Sequence, residues 1–172
     1  GCACKGKSGR TWKLKRAGGR VARIVKSCQD LPGQHLFQCI DDDGSRRAVG
    51  SADVNAWLRE VSGADITAKD FRTWAGTVLA ALALSEFEAV DHAVTAKANV
   101  REAIERVARR LGNTPTICRK CYVHPEVLDS YLDGALALDV ERRATAELNG
   151  ALDHLRPEEV AVLAFLKRRL RR

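Results

Sequence analysis

Gly112-Asn113-Thr114-Pro115-Thr116-Ile117-Cys118-Arg119-Lys120-Cys121-Tyr122 is the stretch on which the reading of this chain turns. Ahead of it, Lys97 to Leu111 repeats apolar residues at helical spacing, with Val100, Ile104, Val107, Ala108 and Leu111 forming one stripe. Gly112 stops that helix. Thr114 and Pro115 start another, the threonine as cap and the proline in the first turn, and Tyr122 follows two turns in. Asn113, between the two helices, suits a turn or a cap. Arg119, three residues before Tyr122, and Lys120 set positive charge beside the tyrosine. A phenol with an ordinary pKa of about 10 becomes a usable nucleophile only where cations stabilise its phenolate and the charge of the group it attacks. Packing is the commoner use of a tyrosine, and Tyr131 shows the contrast. It sits in Leu128-Asp129-Ser130-Tyr131-Leu132 with no basic pair beside it, so packing accounts for it.

Upstream, the pattern is helical from Ser51. Ser51 is expected to cap a helix carrying Val54, Trp57, Leu58 and Val61, with Gly63 ending it. Thr67 is expected to cap a long helix that turns Phe71, Trp74, Val78, Leu79 and Leu82 toward the core. In its Lys69-Asp70-Phe71-Arg72-Thr73-Trp74 segment, Lys69 and Arg72 stand at i and i+3 and share a face. By themselves they would read as a solvated basic pair.

Nearer the start, Gly6-Lys7-Ser8-Gly9 predicts a tight turn, and Thr11 to Lys15 alternates as a half-exposed strand does. Gly18-Gly19 breaks this region. Arg20 to Cys28 then reads as a short helix with Val21, Ile24, Val25 and Cys28 on one face, stopped by Leu31-Pro32-Gly33. Leu36–Ile40 and Arg46–Val49 read as paired strands around the turn Asp41-Asp42-Asp43-Gly44. That acidic turn lacks the spaced ligands and closing glutamate of a calcium loop. Beyond Asp133-Gly134, a polar helix over Val140–Leu148 and a last one over Pro157–Leu170 are expected. The tail from Lys167 to Arg172 suits a helix carboxyl end, in contact with DNA or solvated.

The 172 residues are enough for one well-buried core. Formal charge is +7, from 29 Lys and Arg against 22 Asp and Glu, which fits a polyanionic partner. Six cysteines, with no signal peptide, read as reduced thiols of a cytoplasmic protein. Cys118-x-x-Cys121-x-x-His124 has the spacing of a zinc site but no evident fourth ligand, so no metal is expected. No run of about 18 apolar residues is present, so no membrane span is expected.

The motifs GKSGR, KDFRTW and GNTP…Tyr122, in this order from about Lys5 to Gly134, resemble the type IB DNA topoisomerases, in their bacterial and poxvirus-like branch. The resemblance implies a mainly α fold, the helical catalytic domain shared with tyrosine recombinases, with a small amino-terminal β element. It implies one catalytic domain over 1–172, in which 1–50 is the hairpin and short helix, 51–134 the helical core and 135–172 the last helices. Duplex DNA is the implied substrate, cut through a 3′-phosphotyrosyl intermediate by a monomer needing no cofactor. Tyr122 takes the role of nucleophile, Arg72 that of the second catalytic arginine, and Lys7 that of the acid protonating the leaving 5′ oxygen. Asn113 falls where poxvirus members carry histidine and bacterial relatives can carry asparagine, and donates to a phosphate oxygen. Lys5, Arg10, Lys69, Arg119 and Lys120 would contact DNA. Arg10 and Trp12 depart from the lysine and histidine expected after the turn.

The family's first arginine and clamp domain would precede Gly1. With no methionine in the chain, it is expected to be one piece of a larger protein, weakly active alone. The lysine hairpin would then open without a strand ahead of it. A tyrosine recombinase shares the fold and the tyrosine, but usually carries His-x-x-Arg where this chain has Lys69 and Arg72. A non-catalytic DNA-binding module of the same fold is the remaining alternative. Relaxation of DNA in the bacterial nucleoid is the implied setting.

Overall fold

The computed structural model describes residues 2–5, 11–14, 19–30, 33, 35–87, 92–136 and 155–171. Contacts divide the chain into two units, residues 1–61 and 62–172.

In the first unit, β1 (Cys2–Lys5) and β2 (Thr11–Leu14) pair antiparallel, with Cys2 opposite Leu14 and Lys5 opposite Thr11. β1 and β2 are the two strands of the lysine hairpin. The GKSG turn, with Lys7 and Arg10, lies outside the described residues, as does the side chain of Lys5. Helix α1 (Gly19–Gln29) follows, its Ile24 exposed and its Val25 and Cys28 half-buried. Strands β3 (Gln38–Ile40) and β4 (Arg46–Ala48) pair as the sequence indicates. Their turn closes through Gly44 N–H on the Asp41 carbonyl (2.8 Å) and Ser45 N–H on the Asp43 carboxylate (2.8 Å).

Helix α2 (Ser51–Ser62) starts one residue earlier than a Ser51 cap would have it. Gly50 precedes it and donates its N–H to Asp53 Oδ2 at 2.8 Å, so the aspartate in the first turn, not the serine, satisfies the free donor. No residue of α2 is buried, and Trp57 is 58% exposed.

The second unit holds the core. Helix α3 (Ala68–Ser85) begins as expected at Thr67, whose N–H and hydroxyl both donate to Asp70 Oδ2 at 2.8 Å. These two bonds, the hydroxyl's first, hold the Asp70 carboxyl below its ordinary range. Burial starts only at Gly76, so Phe71 projects from the exposed first turns at 59% exposure. Its expected place in the core is a misreading: an apolar period carries no information about where neighbouring helices end. Trp74, Val78, Leu79 and Leu82 do pack in or against the core.

Helix α4 (Ala93–Leu111) starts four residues before the Lys97 that the apolar stripe suggests; in the added turn Ala96 is buried while Val94 is exposed. Helices α5 (Pro115–Cys121), α6 (Pro125–Leu132) and α7 (Pro157–Leu170) follow. Helix α3 packs on α4, α6 and α7, while α4 also packs on α5 and α6. Val78, Leu84, Val100, Val107, Val127, Val162 and Phe165 are buried where these helices meet. Each such side chain contributes about 1.5–3 kcal/mol through removal from water. Trp74 Nε1–H donates to Glu159 Oε1 (3.3 Å) and Arg169 Nε–H to Glu126 Oε1 (2.6 Å), tying α7 to α3 and α6. The helix expected over Val140–Leu148 lies outside the described residues. The chain is mainly helical with small antiparallel β elements near its amino end. No helix among the described residues is long and apolar enough to cross a membrane.

Candidate active site

Tyr122 stands where three local signals meet. The first is the end of α4. Gly112 adopts φ 72° and ψ 37°, a left-handed conformation that a side chain would resist, and both its N–H and that of Asn113 turn back to the Ala108 carbonyl at 2.8 and 3.0 Å. The Leu111 carbonyl, one of those a helix end leaves without an intrahelical donor, accepts from Arg72 Nη2 at 2.7 Å and from Asn113 Nδ2 at 3.5 Å. A guanidinium there is also favoured by the negative end of the helix dipole.

The second signal is the restart. Thr114 Oγ1 accepts from Ile117 N–H at 3.3 Å and Pro115 occupies the first turn of α5. Tyr122 is the residue that closes this helix, with φ −130° and its N–H on the Cys118 carbonyl at 3.0 Å. Its half-buried ring lies under Arg72, whose Cζ is 5.2 Å from the ring centroid. That is cation–π range.

The third is the face of α3 behind the tyrosine. Thr73 Oγ1–H is shared between the Lys69 carbonyl of its own helix (3.1 Å) and the Cys121 carbonyl (3.4 Å), and Thr77 Oγ1 accepts from His124 N–H (3.1 Å). Gly76 lies between them, so close to the Tyr122 carbonyl that a methyl group there would overlap it. Residues on both sides of Tyr122 are therefore fixed to the helix that carries Arg72. A glycine in a helix interior costs about 1 kcal/mol relative to alanine. In alanine-rich α3, Gly76 was therefore the one sequence signal for this close approach, while Thr73 and Thr77 gave none.

The structure brings Arg72, Asn113 and Tyr122 together around the Leu111 carbonyl and the tyrosine ring. Lys69 is exposed on the outer face of α3, one turn before Arg72. Arg119 does not join the tyrosine cluster. Tyr122 closes the helix rather than continuing it, and Arg119 and Lys120 instead line a groove between α5 and α4, with Lys97 and Arg101. Tyr131 packs against the core and its hydroxyl accepts from Asn99 Nδ2 at 2.7 Å.

Cys118 is buried, and burial pushes its thiol up, with Cys121 adding to the shift and Arg72 opposing it. His124 Nδ1 accepts from Glu126 N–H at 3.2 Å and caps α6. No group of three potential metal ligands occurs among the described residues.

The site thus joins an arginine stacked on a tyrosine to a mainly helical scaffold. The chain belongs to the type IB DNA topoisomerases, matching over residues 5–148 the family described as eukaryotic DNA topoisomerase I, catalytic core. It is similar to the DNA topoisomerase 1B of Acanthamoeba polyphaga mimivirus, with 31% identity over 134 residues, which are 74% of this chain and 40% of the viral protein. The chain thus spans about two fifths of the length of that relative.

Proposed function

We propose that the chain is the catalytic region of a type IB topoisomerase that nicks and reseals one strand of duplex DNA. Tyr122 Oη releases its proton to water and attacks the phosphorus, the bond to the 5′ oxygen breaks, and the 3′ phosphate stays on the tyrosine. The leaving oxygen takes a proton from Lys7. Resealing is the reverse transfer, so the energy of the broken bond is kept and no nucleotide is consumed. Arg72 binds the phosphate oxygens on which charge accumulates, through a planar fork suited to two of them. Asn113 donates to one more. Lys5, Arg10, Lys69, Arg119 and Lys120 contact the DNA backbone, which positions the duplex without reading its sequence.

The observation that carries this reading is the seating of Arg72 on the Tyr122 ring and the Leu111 carbonyl together. It stations a cation at the nucleophile before any DNA arrives. In the same proposal both units, residues 1–61 and 62–172, belong to one catalytic domain acting as a monomer. Asn113 in place of the poxvirus histidine supports the bacterial members of that branch, and with it action on the bacterial nucleoid.

The test is incubation of the protein with end-labelled duplex DNA in EDTA and without ATP, followed by denaturing electrophoresis. Label retained on the protein through the 3′ side of the break is expected. DNA bound under native conditions, with no label surviving denaturation, would leave only a binding module.

A further inference from the structure

Between α4 and α5 runs an open groove of about 720 Å³. Its lining includes Lys97 and Arg101 from α4 and Arg119 and Lys120 from α5, together with Val100 and Ile104, and contains no carboxylate. All four cations are exposed, and none pairs with an acid among the described residues. Three other arginines of this unit do pair with acids. Arg106 pairs with Glu86 and Glu102, Arg156 with Glu158 and Glu159, and Arg169 with Glu126. Lys97 and Arg101 stand at i and i+4, where like charges repel along a helix. Four uncompensated cations around one concavity create a field that concentrates an anion.

The position of the groove says which anion. The four cations run along α5, the helix that Tyr122 closes, and across onto α4. A nucleic-acid strand carries a charge on every nucleotide and extends past the bond being cut. A small anion would engage only part of such a row.

We propose that the α4–α5 groove holds the phosphate backbone of the duplex flanking the cleaved bond, with Lys97 and Arg101 as its outer contacts. The proposal rests on the DNA-cleaving reading given above. These two residues act on grip and not on chemistry, because neither belongs to the cluster around Tyr122.

The experiment compares the full chain with its Lys97→Ala/Arg101→Ala variant, measuring affinity for a labelled duplex across a salt series and the rate of covalent adduct formation at saturating protein. The expected result is a slope of log K against log salt less steep by about 2, one unit for each lost phosphate contact. Weaker binding at low salt and an unchanged adduct rate at saturation go with it. Unchanged slope and affinity with a native circular dichroism spectrum would overturn the proposal, and so would an adduct rate that falls while binding stays the same. Lys97→Gln/Arg101→Gln, which keeps long side chains on the helix, provides the same reading if the alanine variant does not fold. Absence of adduct from every protein, with the slope still altered, would count against the cleavage reading and leave the groove assignment standing.

Discussion

Gly76 of α3 and Tyr122 meet backbone to backbone, with no room for a methyl group between them: a Cβ on Gly76 would overlap the Tyr122 carbonyl oxygen and come within 3.2 Å of the tyrosine Cβ. The helix that supplies the arginine and the turn that supplies the tyrosine are thereby packed as one body. Their alignment depends on packing behind the site as much as on the contact in front of it.

Gly76→Ala follows directly. Helix propensity would favour alanine by about 1 kcal/mol, but the overlap displaces the turn. A misplacement of about 1 Å can cost about 100-fold in rate, so adduct formation should fall by about that much while duplex binding, measured by anisotropy, holds. Thr77→Val should act the same way more mildly, leaving His124 N–H without its partner at a cost of about 1–3 kcal/mol. A Gly76→Ala protein with wild-type adduct kinetics would show that the close approach does not set the geometry.

Arg72→Ala should slow cleavage by about 100- to 1000-fold, the usual effect of removing one donor to a transition-state charge. Arg72→Lys should recover little of this, because an ammonium cannot at once cap the Leu111 carbonyl, cover the ring and fork two phosphate oxygens. Single-turnover cleavage of a labelled duplex measures both.

A bridging 5′ sulfur in the DNA separates Lys7 from Arg72. Such a leaving group needs no proton, so Lys7→Ala should cleave it nearly as fast as wild type, whereas Arg72→Ala should stay slow. Equal defects of the two variants on this substrate would remove Lys7 from the role of acid.

The Glu126–Arg169 pair predicts a pH dependence of stability. The bond from Arg169, assisted by that from Ser130 and opposed by burial, holds the Glu126 carboxyl below the ordinary glutamate range. A carboxyl depressed in the folded state contributes stability above its unfolded pKa and loses it as pH falls through the folded value. Arg169→Gln should therefore lower Tm at pH 7, and the difference from wild type should shrink below about pH 4. Calorimetry at the two pH values decides this, and a constant difference would mean that the arginine acts by packing alone.

What the sequence showed and what it withheld divide along the range of the interactions. The stretch from Gly112 to Tyr122 was legible because its determinants are local: a glycine in a left-handed cap, a threonine cap and a proline in the first turn. The capping of α3 at Thr67 was legible for the same reason. The contact of Arg72 with Leu111 spans 39 residues, and spacing along one helix cannot foretell it. Phe71 was misplaced because periodicity marks a face but not where the neighbouring helix stops covering it. Arg119 was assigned to the tyrosine by helical offset, yet Tyr122 is where that helix ends, and the arginine lines the groove with α4. Thr73 and Thr77 look like ordinary helix residues until the turn they hold is seen against them.

The central claim is that Tyr122, and no other residue, takes the DNA phosphate. Its most direct measurement is isolation of the covalent complex, digestion of the protein and nuclease trimming of the DNA, followed by mass spectrometry of the modified peptide. A 3′-phosphonucleotide on Tyr122 is predicted, absent from Tyr122→Phe and unchanged in Tyr131→Phe. A nucleotide found on Tyr131 or on a serine, or an adduct that survives in Tyr122→Phe, would contradict the account.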